Sequence, residues 1–209
     1  MASSKSSLTE FRDALQAESA AYGITLTSAD LSSLSKYYEL LEAWNARLHL
    51  VAPVSPQLFA TRHVLESLLL LNYFPEGARI ADVGSGAGLP IIPCLILRPD
   101  ISAVLIESNQ KKAIFLREAL KTTPGLQATV LPQRFESIDA PAVDFVTCRA
   151  LERFEEMLPQ LISWSPRPGQ LLLFGGEGLG AKIAELGLAA TKSLIPKSQK
   201  RFLFQIINS

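Results

Sequence analysis

Gly84, Gly86 and Gly88 stand at alternate positions just after a short apolar run, Arg79 to Val83, which carries Asp82 near its end. Glycines so spaced let the backbone turn sharply and approach a ligand where a Cβ would collide. A strand, a glycine turn and then a helix make a nucleotide-cofactor site. Glu107 closes the next apolar run about twenty residues on and can accept hydrogen bonds from both hydroxyls of a ribose. A dinucleotide fingerprint places its third glycine three residues after the second, and here that position is Leu89. The spacing therefore argues against a dinucleotide. The plainer alternatives are a surface turn for Asp82 and a helix cap for Glu107.

Other reactive side chains are sparse. Cys148 ends the fourth apolar run, where cytosine-C5 enzymes place a nucleophile, but Thr147 precedes it instead of proline. It reads as a small buried strand residue, and Cys94 as packing. No His, Cys, Asp or Glu cluster has metal-ligand spacing, so no metal is expected. His63 follows Arg62 near the start of a helix and suits an RNA or domain contact as well as a structural role. His49 is given no role. Basic residues gather at Lys111, Lys112 and Arg117, and again at Lys192, Lys197, Lys200 and Arg201; both groups could meet phosphates or simply face solvent.

The elements that hold these residues follow from hydrophobic periodicity. Leu8 to Tyr22, Ala29 to Leu48 (with Ser28 or Asp30 as cap) and Phe59 to Tyr73 have helical spacing. From Gly77 onward strands at Arg79 to Val83, Ala103 to Glu107, Ala128 to Leu131, Val143 to Thr147 and Gln170 to Phe174 alternate with helices. Those helices are expected at Leu89 to Leu97, Asn109 to Lys121, Leu151 to Trp164 and Leu179 to Leu188. Alternation implies βαβ units and a parallel sheet covered on both faces. Thr191 to Pro196 and Arg201 to Ile207 are too close for a crossover helix and imply an antiparallel hairpin. The chain divides into a helical extension, residues 1–76, packed on a Rossmann-like domain, 77–209.

Composition sets the outer limits. In 209 residues, 48% hydrophobic and 19% charged, there is ample material for a core, which argues against disorder. Zero formal net charge provides no global steering toward nucleic acid, so any such surface must be local. Met1 to Glu10 is polar and the longest apolar run is too short to span a bilayer. A cytoplasmic monomer without membrane contact is expected.

An α/β chain whose mostly parallel, seven-stranded sheet ends in an antiparallel C-terminal strand resembles the class I fold of S-adenosylmethionine-dependent methyltransferases. The acid and Gly-x-Gly-x-Gly of Asp82, Gly84, Gly86 and Gly88 is similar to the cofactor motif of that class. Several segments together resemble the small-subunit ribosomal RNA methyltransferase G family, also called glucose-inhibited division protein B. They are Trp44-Asn45, Leu48-His49-Leu50, the stretch from Arg62-His63 to Glu66-Ser67, the run from Asp82 to Leu89-Pro90, Glu107-Ser108, Lys111-Lys112, Phe115-Leu116-Arg117, Arg134-Phe135-Glu136 and Arg149-Ala150.

The resemblance implies S-adenosylmethionine as cofactor, small-subunit (16S) ribosomal RNA or a ribosomal particle as partner, and guanine N7 as methyl acceptor. It implies cofactor contacts at Gly84, Leu89, Phe135, Glu136 and Arg149, with Arg134 and Arg149 lining the face where substrate meets cofactor. Arg62, His63 and Arg201 would touch RNA. Guanine N7 has a lone pair and no proton, so in-line transfer needs alignment and no general base. The chain departs from the family where His49-Leu50-Val51 replaces the usual Asn-Leu-Thr and Ile91-Ile92 the usual Gly-Ile. It departs again where Leu173-Phe174-Gly175 replaces Leu-Lys-Gly. A small-molecule methyltransferase, or a non-catalytic cofactor-binding protein that associates with RNA, are the alternatives.

Overall fold

The computed structural model describes residues 2–209, with side chains from Ser6 onward; Met1 of the expected extension lies outside the described residues. Helix α1 spans Ala2–Glu18 and runs into a tight turn, Ser19–Tyr22, closed by Gly23 at φ 70°. Helix α2, Ser28–Leu48, is capped by Thr27, one residue before the expected caps. The Thr27 side chain accepts from the Asp30 amide and Asp30 accepts from the Thr27 amide, a reciprocal box that satisfies two orphan donors. A third helical run joins α3 (Pro56–Phe59), a π turn (Ala60–Leu65), α4 (Glu66–Leu68) and a 3-10 turn (Leu69–Asn72). Arg62 and His63 sit in the π turn, a deformation that recurs at functional sites.

The sheet follows in the order β3-β2-β1-β4-β5-β7-β6. Its strands are β1 Arg79–Val83, β2 Ser102–Ile106, β3 Gln127–Leu131, β4 Phe145–Arg149, β5 Gly169–Gly175, β6 Ala190–Leu194 and β7 Phe202–Asn208. The first five pair in parallel, and β7 runs antiparallel to both β5 and β6. Helices α5 (Ile91–Leu97), α6 (Gln110–Lys121), α7 (Phe154–Trp164) and α8 (Glu177–Glu185) make the connections. Helix α7 starts three residues later than expected because Ala150 and Arg153 take left-handed backbone, at φ 54° and 53°, and turn the chain off β4.

Side chains alternate between the two faces of each strand. One face, with Ile80, Phe145 and Leu172, shares a single apolar cluster with Phe11, Leu15, Leu34, Tyr37 and Leu41 of the N-terminal helices. The other, with Ala81, Val146, Cys148 and Leu171, packs on α7 and α8. Phe11 stacks on Tyr38 at 4.2 Å and Phe59 closes on both rings, so α1, α2 and α3 meet in one aromatic knot. Each such fully buried side chain stabilises the fold by about 1.5–3 kcal/mol. Tyr37, fully buried, donates its hydroxyl to the carbonyl of Ala87 at 2.7 Å and so ties α2 to the glycine turn. Trp44 of α2 reaches Phe115 of α6, their rings 5.9 Å apart.

Candidate active site

Strand order reverses at β1, with β2 on one side and β4 on the other, and in such sheets the crevice outside the strand ends is where ligands bind. The glycine turn fills that crevice. The amides of Gly84 and Ser85 donate to the Ile106 carbonyl, and Gly84, Gly86 and Gly88 all have positive φ, which glycine alone adopts without penalty. A cavity of about 430 Å3 opens above the turn, walled by Gly84, Ser85, Gly86, Ala87, Leu89, Glu107, Ser108 and Lys112. The segment Leu50 to Ala52 after α2 forms part of its rim.

Glu107 is both cap and wall. Its Oε1 accepts from the Asn109 amide at 2.7 Å and its Oε2 from the Gly86 amide at 2.8 Å, which leaves a lone pair on each oxygen for a ligand. Lys112, expected only in a basic patch, reaches the same cavity. Lys111 and Lys112 lie in the first turn of α6, where the helix dipole opposes a cation, so no helix-dipole benefit accounts for them. A smaller cavity of about 240 Å3 shares Gly84, Ser108, Leu151 and Glu152 with the first. Arg134, Phe135 and Glu136 line it, with Phe135 buried edge-on against Trp164.

Asp82 and Gly88 line neither cavity, contrary to their expected cofactor contact. Asp82 is no surface turn residue either: it is fully buried beneath the glycine turn and accepts from Thr147 Oγ1 of the paired strand at 2.7 Å. Its Oδ2 has no partner among the described residues. Burial, reinforced by the charge of Glu107, pushes its pKa up to about 6 despite the Thr147 hydrogen bond. Gly88 is glycine for packing, since a Cβ there would lie 2.3 Å from Ile92 Cδ1.

Arg149 ends β4 on the face that Phe145 and Thr147 share, which aims it at the N-terminal helices. Its Nη2 donates to the Arg62 carbonyl at 2.6 Å and to Glu66 Oε2 at 3.2 Å, and its guanidinium lies 5.3 Å from the Phe174 ring centre. Arg201 donates to Glu66 Oε1 at 2.5 Å. Glu66, fully buried, thus sits between two arginines. Sequence reading missed it, because its partners lie 83 and 135 positions away. Burial works against the Arg149 charge and Glu66 offsets it.

His63 packs on Phe59 and lines the glycine cavity beside Arg149. Burial, then the neighbouring arginines, lowers its pKa to about 4, so the imidazole is neutral. The other expected contacts scatter. Arg134 is exposed, 3.9 Å from Glu136, in a cavity that does not include Arg149. The Arg62 side chain lines a groove between α1 and the final hairpin, and its carbonyl does the work at Arg149. In that hairpin Lys192 pairs with Glu177, Lys197 with Glu18 and Arg201 with Glu66, so most of its charge is neutralised. Cys148 faces away, buried, with its thiol pushed well up by burial.

Known proteins agree with this architecture. A SAM-dependent methyltransferase from Aquifex aeolicus superposes with TM-score 0.55 at 15% identity, covering 83% of this chain and 98% of that one. The magnesium protoporphyrin IX methyltransferase of Synechocystis PCC 6803, solved with bound SAM, gives 0.53 at 13%, covering 90% and 88%. At such identities the likeness establishes the class I methyltransferase fold alone. Relatives named ribosomal RNA small subunit methyltransferase G are closer in sequence. The Sorangium cellulosum (strain So ce56) protein is 36% identical over 173 residues, 79% of this chain and 72% of that protein. One from Xanthomonas oryzae pv. oryzae (strain MAFF 311018) is 38% identical over 159 residues, 76% and 71%. A protein of strain KACC10331 / KXO85 is 43% identical over 129 residues, 61% of this chain and 60% of its own length, so that match spans less than two thirds of the relative. The family model for rRNA small subunit methyltransferase G matches residues 30–203, and on that match the chain belongs to the rRNA small subunit methyltransferase G family.

Proposed function

We propose that the protein transfers a methyl group from S-adenosylmethionine to N7 of a guanine in small-subunit ribosomal RNA, in line and without a general base. One observation carries the reading: of the acid–base groups that line the glycine cavity beside the half-buried Arg149, Glu107 is tied to two backbone amides, His63 is a weak base and Glu152 is exposed to solvent, so none is held in place to take a proton. Outside that lining, Glu66 is occupied by Arg149 and Arg201 and Asp82 is sealed below the turn. Such a site suits an acceptor that has no proton to lose.

The residues present fit the cofactor. Gly84 and Gly86 allow close approach, Glu107 keeps lone pairs for two ribose hydroxyls, and Phe135 supplies a flat apolar wall for an adenine. S-adenosylmethionine, when bound, would supply an electrophilic methyl on its sulfonium, with the thioether as leaving group. The chain's own part is to hold the acceptor and to exclude water. Incubation with labelled S-adenosylmethionine and under-methylated small-subunit RNA, followed by nucleoside analysis, tests the reading. Label in 7-methylguanosine supports it; label in another nucleoside overturns it, and cofactor binding without any transfer restores the non-catalytic alternative.

A further inference from the structure

On the far side of Arg149 from the glycine turn lies a cavity of about 490 Å3, a size typical of organic ligand sites. Leu151, Phe154, Phe174, Leu179 and Ile195 give it largely apolar walls, Glu66, Arg149 and Arg201 form a polar cluster among them, and the exposed Arg153 and Glu155 also line it. It shares His63, Arg149, Ala150 and Leu151 with the glycine cavity. A flat aromatic group lodged here would therefore present an edge toward the place where the methyl donor binds.

The hydrogen bonding of Arg149 is lopsided. Nη2 is held by the Arg62 carbonyl and Glu66, whereas Nη1 is buried and has no partner among the described residues. A buried charged donor without an acceptor is costly, so the site carries an unmet demand for one acceptor. Arg149 is itself one of the residues that line the cavity. Guanine offers O6 and N7 side by side on one edge, and a free arginine would take both. Occupying N7 would block its lone pair. Because Nη2 already gives its hydrogens to the Arg62 carbonyl and Glu66, Arg149 cannot set its two terminal nitrogens as a fork on O6 and N7 together.

We propose, resting on the guanine-N7 reading above, that this cavity receives the extruded target guanine. Arg149 donates to O6 through Nη1 alone, and Glu66 is the positioning residue that keeps Nη2 away from N7. Extrusion of the base from its stack is the general route by which enzymes reach such atoms. The Arg149 donor selects the carbonyl edge, and the apolar walls accept the ring faces.

The test uses the full chain and small-subunit RNA carrying guanine, inosine or 2-aminopurine at the methylated position. Inosine keeps O6, and 2-aminopurine lacks it while keeping N7. Wild type should methylate inosine within about threefold of guanine and 2-aminopurine roughly tenfold to a hundredfold more slowly. Arg149→Met should treat guanine and 2-aminopurine alike. Glu66→Gln should lower kcat and narrow that discrimination while calorimetric affinity for S-adenosylmethionine stays at the wild-type value, a split that a merely structural role would not produce. Should Glu66→Gln fail to fold, Gly176→Leu decides. A Cβ at Gly176 comes no closer than 3.5 Å, to the Lys200 carbonyl, so the new side chain fills the cavity without backbone conflict. It should keep cofactor affinity and lose methylation. Equal rates on guanine and 2-aminopurine in wild type, or full turnover by Gly176→Leu, would overturn the base site while leaving the N7 reading intact. A wild type that forms no 7-methylguanosine overturns both.

Discussion

Asp82 and His63 titrate in opposite senses across the same pH window. Burial keeps Asp82 neutral up to about pH 6 against an ordinary 3.8, so the folded chain holds that proton more tightly and stability falls as pH rises from about 4 to 6. His63 is lowered to about 4 from 6.5, so the folded chain holds its proton less tightly and stability rises from about pH 4 to 6.5. Each effect is on the order of 3 kcal/mol, and in wild type they offset. Thermal melts at pH 4.5, 5.5 and 6.5 should therefore rise by several degrees with pH for Asp82→Asn and fall for His63→Gln. Parallel curves for the two variants would show that neither group is held as described. The glycines divide along a similar line. Gly86→Val should weaken S-adenosylmethionine binding by a hundredfold or more in calorimetry, since its Cβ points into open space at the cavity wall, and should also lower Tm, because φ 53° strains a β-branched residue. Gly88→Ala should instead cost about 2 kcal/mol of stability or more, because its Cβ collides with Ile92.

At the scale of elements, the end of α2 carries strain that is open to correction. His49 terminates the helix in left-handed backbone at φ 46°, while Asn45 bonds both the amide and the carbonyl of Val51 and holds Leu50 to Ala52 at the cavity rim. Asparagine adopts this conformation more readily than other non-glycine residues. That preference gives a physical reason for the asparagine usual in the family at this position. His49→Asn should raise stability by about 0.5–1 kcal/mol, a Tm gain of roughly 1–4 °C, and an unchanged or lower Tm would reject the strain. The caps and strand ends show why boundaries were partly legible. Thr27 and Asp30 form a local pattern, but Ser28 and Asp30 were equally plausible caps until the helix start was known. The late start of α7 depended on two non-glycine residues in left-handed backbone, which residue type does not announce.

For the whole molecule, the N-terminal helices complete the site as much as they cover the sheet. They supply Glu66 and the Arg62 carbonyl to Arg149, His63 to both cavities and Tyr37 to the glycine turn. Tyr37→Phe leaves the buried Ala87 carbonyl without its donor and should lower stability by about 1–3 kcal/mol. Because that carbonyl belongs to the turn, calorimetry should show a several-fold loss of cofactor affinity together with the lower Tm. A variant that melts earlier but binds normally would separate the clamp from the site. Phe174, where the family usually has lysine, lies under the Arg149 guanidinium, and Arg149 and Arg201 supply the positive charge there.

The order of elements, the antiparallel end of the sheet and the glycine turn with Glu107 were set within short stretches of chain. Periodicity, turn residues and motif spacing act over a few positions, which is why they can be read without the fold. The Arg149–Glu66–Arg201 cluster, the burial of Asp82 beneath the turn, the parting of Arg134 from Arg149 and the second cavity came from folding alone. Each depends on which face of a strand meets which helix across scores of residues, and on the desolvation and pairing that follow once those faces close.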